Sequence, residues 1–228
     1  LDEEKVFVSL SEKIQAINLK IFIGTNNVII NNSTKKMNRI NLGKKENNLK
    51  IGIRNQKKNI ISICRFVDQK NIFEIFKIAK KLKIYNFIVL GEGYLFDKAK
   101  IFLKSSNIQN VYLFGNQTDI FKYLYESDLF LSTSLYEGHP ISILEAMSIG
   151  LPIVASKVTG NIDTFKDNYS GLFYELGDIN EACSCIERVM SNSNLKLKIS
   201  NNSFFTHRKL FTTSKMKKSY SLLYKKYN

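Results

Sequence analysis

The sequence predicts an α/β fold: a Rossmann-like parallel sheet with helices on both faces, followed by C-terminal helices. Three observations carry this. From Asn59 onward, strand-length runs rich in Ile, Val, Leu and Phe recur with little polar alternation, as strands buried on both faces do. Amphipathic stretches of helical length separate them, and this alternation implies right-handed crossovers between parallel strands. Turn and capping residues mark the joins. The strand runs are Ile60 to Cys64, Phe87 to Leu90, Val111 to Phe114, Leu129 to Ser132, Ile153 to Ala155 and Leu172 to Tyr174. Helices are predicted over Asn71 to Lys83, Leu95 to Leu103, Thr118 to Tyr125 and Ile141 to Ile149, the last closed by Gly150 and Pro152. Asn71 with Glu74, and Asp178 with Glu181, place a capping side chain three residues before an acid, so helices open there. Ahead of these, Val6 to Ser9 reads as a strand, Ser11-Glu12-Lys13 as a helix start and Val28 to Ile30 as a second strand. Ser33 to Lys58 is polar and lysine-rich, a linker or mobile loop.

A chain of 228 residues can bury a substantial core. No run approaches the ~18 apolar residues of a membrane span and nothing resembles a signal peptide, so a cytoplasmic protein is expected. Three cysteines, Cys64, Cys183 and Cys185, offer no complete disulfide framework and suit a reducing compartment. No His, Cys and Asp cluster has metal-ligand spacing, so a metal-independent site without cofactor is expected. The net charge of +14 is unevenly placed: from Arg188 to Asn228 there are ten Lys or Arg residues and no acid. Such a surface seeks anions. The lysines alternate with Leu210, Phe211, Tyr220, Leu223 and Tyr224 at helical spacing, which reads as an amphipathic helix lying on protein or on an anionic membrane surface. Nucleic acid is the competing partner, and no recognition signature for it accompanies the charge.

The stretch from Glu137 to Met147 sets two carboxylates, Glu137 and Glu145, seven residues apart across a loop-to-helix junction. Amides exposed at the helix start can hold a diphosphate. Glu145 lies about 6 Å further along the helix, where a carboxylate can accept two ribose hydroxyls. Glu137, in the preceding turn, would face whatever extends beyond the diphosphate, and a sugar hydroxyl is the natural partner. The plain alternative is a solvated helix acid and an ordinary turn acid. Arg65 and Lys70 fall beyond the carboxyl end of the first strand of the sheet, where open α/β sheets bind ligands, and would converge with the helix start on the diphosphate. The nucleobase is expected against Phe114, Gly115 and Asn116, at a neighbouring strand end. His139 hydrogen-bonds the donor or acts as a pH-sensitive group, or else is a loop residue whose ring merely packs. His207 has no recognisable partner and is expected to be exposed.

The E-x7-E spacing, with Glu137-Gly138 at its start, Glu145-Ala146-Met147 at its end and Gly150 to Ser156 after it, resembles the signature of retaining GT-B glycosyltransferases of the family 4 type. Further landmarks follow the same order: Cys64-Arg65 with Lys70-Asn71, Gly91-Glu92-Gly93, Leu113-Phe114-Gly115 and Thr159-Gly160-Asn161. Cys64 stands where glycine is usual, and Pro140 removes one amide from the sugar loop. The resemblance implies a glycosyltransferase of hexosyltransferase type. Its phosphate and nucleotide contacts would be Arg65, Lys70, Ser142 and Glu145, its donor-sugar contacts Glu137, Gly138, His139, Pro140 and Ile141, and its catalytic residue Glu137. The donor would be a UDP-sugar or GDP-sugar, and the acceptor a glycan or lipid-linked sugar of a surface polysaccharide or glycolipid. The resemblance divides the chain into an acceptor-domain remnant (1–33), a linker (34–58), a nucleotide-sugar-binding domain (59–200) and a basic terminal helix (201–228). On this reading the chain is a fragment lacking the N-terminal GT-B domain, able to bind a donor and not to transfer from it. The other readings are a non-catalytic sugar-nucleotide module or degenerate paralogue and, beyond that, a basic nucleic-acid-binding protein.

Overall fold

The computed structural model describes residues 6–9, 26–39, 52, 53 and 55–227. Strands β1 (Val6–Ser9) and β2 (Asn26–Ile29) pair in parallel as a small separate sheet. The predicted alternation becomes a six-stranded sheet of β3 (Asn59–Ile63), β4 (Asn86–Leu90), β5 (Val111–Gly115), β6 (Leu129–Ser132), β7 (Ile153–Ser156) and β8 (Leu172–Tyr174). All its pairings are parallel, in the order β5-β4-β3-β6-β7-β8. The helix start expected at Ser11 to Lys13 and residues 40–51 of the expected linker lie outside the described residues.

Side chains alternate between the two faces of each strand, which is why the runs are apolar throughout. Ile60, Phe87, Leu129 and Val154 point to one face, under α1 (Ile72–Lys81), α2 (Phe96–Ser105) and later α6 (Ile179–Ser191). Ile61, Ile88, Phe130 and Ile153 point to the other, under α3 (Ile120–Tyr125) and α4 (Ile141–Ile149). After the single turn α5 (Asn161–Thr164) and β8, the chain ends in α6, α7 (Ser193–Leu210) and α8 (Thr213–Tyr227). Helix α7 lies across the outer side of α4, which explains why α4 is buried almost all round. At the end of α4, a Cβ on Gly150 (φ +79°) would stand 3.1 Å from the Ser200 carbonyl oxygen.

The cap at Asp178 forms as expected, its side chain accepting from the amides of Asn180 and Glu181. The one at Asn71 does not. Asn71 is left-handed (φ 49°) and makes no side-chain cap bond; instead its Nδ2 donates to Glu74 Oε2 at 2.7 Å. Glu74 is buried, and its other oxygen accepts from the Tyr174 hydroxyl at 2.8 Å. Burial and the neighbouring carboxylate hold the Tyr174 hydroxyl well above its ordinary pKa. His207 is also not where the sequence suggested: it is fully buried, with Nε2 2.8 Å from Thr34 Oγ1, because α7 turns that face onto the segment leaving β2.

At the amino ends of the strands, buried polar groups satisfy one another. Asn86 Nδ2 donates to Asn59 Oδ1, and the Asn59 amide to Asp128 Oδ2. Lys196 of α7 completes the set through a 2.8 Å pair with Asp128 Oδ1, both side chains about a tenth exposed. Removing Lys196 takes away the cation facing a nearly buried carboxylate, which keeps its bond from the Asn59 amide. Lys196→Met is therefore expected to cost about 3 kcal/mol in urea denaturation. A loss under about 1 kcal/mol would mean the carboxylate reaches water.

Candidate functional site

Strand order reverses between β3 and β6, which are neighbours in the sheet although far apart in sequence. The loops leaving their carboxyl ends part there and open a crevice, the position where open parallel sheets take ligands. From β3 comes Cys64-Arg65 and then a short 3₁₀ turn, Asp68–Lys70, ahead of α1. From β6 comes the loop that carries Glu137 into α4. Lys70, Glu137 and Ser142 line this crevice together with Ser132, Thr133 and Ser134.

Lys70 is held by its backbone. Thr133 Oγ1 donates to the carbonyls of Lys70 (2.9 Å) and Asn71 (3.1 Å), and the Leu135 amide to the carbonyl of Gln69 (2.8 Å). The ammonium then meets Glu137 Oε1 at 2.5 Å, with side-chain exposures of only 16% and 9%. Ser134 Oγ donates to the same carboxylate oxygen at 2.7 Å. Two groups chosen separately from the sequence thus meet as a nearly buried ion pair. The Glu137 amide donates to the Thr159 carbonyl. Gly160 (φ +87°) lies against this loop so closely that a Cβ would overlap the Glu137 carbonyl and sit 2.7 Å from the oxygen of Gly138.

Pro140 is extended and serves as the N-cap of α4 without a side-chain cap bond. The first intrahelical bond runs from Leu144 to Pro140, so the amides of Ile141, Ser142 and Ile143 have no partner within the helix. Glu145, one turn on, is half-buried and makes no ion pair among the described residues. Burial pushes its carboxyl up to about 7. The two glutamates are thus electrically distinct, one paired with an ammonium and one isolated.

Arg65 is exposed at the rim and makes no ion pair among the described residues. Cys64 is set deeper, and burial pushes its thiol up to about 12 against the pull of Lys70, which leaves it an inert neutral wall. The β4 turn fits beneath it only because position 91 lacks a side chain: a Cβ on Gly91 (φ +123°) would overlap the Cys64 carbonyl. At the end of β5, Phe114 is half-buried with its ring centroid 5.1 Å from that of Tyr123. Asn116 is exposed, its Nδ2 donating to Glu92 Oε2 at 3.1 Å. Phe114 and Asn116 sit at the carboxyl end of β5, two strands from the β3–β6 crevice, and are not among the residues that line it.

The His139 ring points away from solvent, 4% exposed, and packs edge-on against Phe211. Burial lowers its pKa to about 4, against a smaller opposing pull from Asp163, so it is neutral at physiological pH and the pH-sensitive alternative does not hold. Residues absent from the sequence-level site are Thr133, Ser134 and Gln69. Three hydroxyl residues in a row at a strand's carboxyl end were the available signal, and nothing local tells which of them faces the crevice. Among the described residues, no group of three or more His, Cys, Asp or Glu gathers, and no helix is long and apolar enough to cross a membrane.

A family model described as glycosyl transferases group 1 matches residues 43–204, well over half of the chain. The UDP-Gal:alpha-D-GlcNAc-diphosphoundecaprenol alpha-1,3-galactosyltransferase of Escherichia coli is 34% identical over 113 residues, 49% of this chain and 29% of that protein. The poly(ribitol-phosphate) alpha-N-acetylglucosaminyltransferase of Staphylococcus aureus is 34% identical over 136 residues, 57% of this chain and 28% of that protein. Matches to these curated relatives therefore span under a third of their lengths. Among solved structures, a variant of S. aureus TarM in complex with fondaparinux, alpha-GlcNAc-glycerol and UDP superposes with a TM-score of 0.81 at 26% identity, covering 95% of this chain and 43% of that one. A glycosyltransferase from Rickettsia africae shares the fold, with a TM-score of 0.88 at 18% identity over 98% of this chain and 64% of that one.

Proposed function

The chain belongs to the glycosyl transferases group 1 family, and from that membership we propose that it is the donor-binding half of a retaining glycosyltransferase, passing a sugar from a nucleoside-diphosphate sugar to a surface polysaccharide or glycolipid. The observation that carries the proposal is the meeting of Lys70 and Glu137 beside the start of α4, at the strand-order reversal. The diphosphate lies against Lys70, Arg65 and the free amides from Ile141 to Ile143. Glu145 accepts the ribose hydroxyls, the base lies along Phe114 to Asn116, and Glu137 with the Gly138–Pro140 loop faces the sugar.

The chemistry follows from charge. As the bond between sugar and diphosphate breaks, negative charge grows on the departing phosphate oxygen, and fixed cations and amide dipoles aimed at it stabilise that change most. Two cations and a helix start supply this without a metal, so binding is expected to survive EDTA. Retention is supported by the two relatives, both named for alpha linkages; hexoses of the gluco and galacto series are α-linked in their nucleotide donors, so an α product preserves configuration. Those relatives' names also specify acceptors bearing phosphate. The acid-free basic stretch from Arg188, with Leu222 and Tyr224 exposed on α8, supports peripheral contact with an anionic bilayer.

The test is calorimetry of the 228-residue chain with UDP, GDP and their sugar conjugates, with and without EDTA, alongside assay of diphosphate release. Binding of a sugar nucleotide that persists in EDTA, with negligible release, is expected, since an acceptor must be aligned against the donor for transfer. Failure to bind any nucleoside diphosphate at millimolar concentration would refute the proposal. Loss of binding in EDTA would refute its metal-free part.

A further inference from the structure

The loop that faces the sugar in this reading is not held by its own ladder. Among the described residues, the amides of Gly138 and His139 have no protein partner. The loop is pinned at one end by the Glu137 amide on Thr159 and at the other by the Leu144 amide on Pro140. Between these pins its support comes from behind. Asn32 Nδ2 donates to the His139 carbonyl at 2.9 Å. The buried His139 ring meets Phe211 at 5.1 Å between centroids and 62° between planes.

Phe211 is 2% exposed and occupies the break between α7 and α8. Its carbonyl accepts from the Thr34 amide at 3.0 Å, and the Thr34 carbonyl accepts from the Thr213 amide at 3.3 Å. The Thr34 hydroxyl also reaches the Leu144 carbonyl inside α4 at 3.4 Å. One short segment, 32–34, therefore touches the sugar loop, the helix bearing Glu145 and the break between the last two helices.

We propose that Asn32 and Phe211, remote from the loop in sequence, are positioning residues for the sugar end of the site, setting the free amides of Gly138 and His139 through the His139 carbonyl and ring. This rests on the donor reading above. UDP depends on Lys70, Arg65, Glu145 and the start of α4, which other contacts hold. Loosening the joint should therefore weaken the sugar's contribution and spare the nucleotide's.

The experiment compares Asn32→Ala and Phe211→Leu with wild type and with Lys77→Ala, a surface control on α1. Amide hydrogen exchange at Glu137 and Leu144, the two bonded amides that pin the loop, is measured first, without ligand, and then the affinities for UDP and UDP-glucose. Exchange in the loop is expected to speed up about tenfold in both joint variants and not in the control. UDP-glucose affinity should fall about tenfold, with UDP within about twofold of wild type. Unchanged exchange would overturn the joint, and equal losses for the two ligands would overturn the positioning role. Faster exchange in a chain whose wild type binds neither ligand would support the joint while refuting the donor reading itself.

Discussion

Glu137→Gln is expected to raise the affinity of the chain for UDP by about 3- to 10-fold, while removing any preference for a UDP-sugar over UDP. The reason is the ion pair between Lys70 and Glu137. With Lys70 Nζ 2.5 Å from Glu137 Oε1, an incoming phosphate must share or displace a carboxylate already in place. Glutamine keeps the shape and can still accept from Ser134, but it releases the ammonium. The cost falls on the sugar, which loses a charged acceptor for its hydroxyls. Lys70→Ala should act in the opposite sense on UDP, lowering its affinity about 10- to 100-fold, since a charge-assisted bond to phosphate is lost and an unpaired carboxylate is left facing it. Calorimetry with UDP and UDP-glucose separates the two. If Glu137→Gln weakened UDP as much as Lys70→Ala does, the pair would be a strut of the fold and not part of a binding site.

Glu145 should make sugar-nucleotide binding depend on pH near neutrality. Burial places its carboxyl at about 7, and ribose hydroxyls would donate hydrogen bonds that the carboxylate accepts best. Affinity for UDP-glucose, whose own phosphates do not titrate in this range, should therefore rise between about pH 6 and 8, and Glu145→Gln should flatten that rise. Stability moves the other way. Between the unfolded value of 4.5 and about 7 the folded chain holds a proton that the unfolded chain has released, so folding weakens as pH climbs through that window. Glu145→Gln should accordingly be more stable than wild type above pH 7, by about 1–2 kcal/mol once water at the half-exposed carboxyl is allowed for. A flat wild-type affinity profile, with no stability difference at pH 8, would remove Glu145 from this role.

The sheet was legible because strands buried on both faces leave unbroken apolar runs, and β6, β8 and α4 begin and end where the sequence placed them. Boundaries moved where side chains chose a different job. Asp119 caps α3 by accepting from the Lys122 amide, so the helix starts later than Thr118 suggested. Asn71 gave up its capping role because Glu74, drawn inward by Tyr174, needed a donor. Within the candidate site, the meeting of Lys70 and Glu137 could be read from position relative to strand and helix ends, since topology carries those two positions to one crevice, whereas Glu145, one turn into α4, is not among the residues that line it. Their partners could not. Ser134 reaches Glu137 through the local turn, and Gln69 and Thr133 act through backbone contacts between loops 60 or more residues apart. The two histidines show the same limit. Nothing near His139 or His207 in sequence reveals Phe211 or Thr34, which arrive from the far end of the chain and from the segment leaving β2.

The contact at Gly160 has a consequence for how natural variation in this chain should be read. Position 160 carries no functional group, and a survey ranking residues by chemical role would pass over it. Yet one added methyl would collide with the peptide that joins Glu137 to Gly138, in the turn from which the Glu137 carboxylate reaches Lys70 and Ser134. Gly160→Ala is therefore expected to lower stability, because the clash is with backbone at a φ of +87° that alanine adopts only under strain, and to shift the turn that carries Glu137 although no side chain of the site is altered.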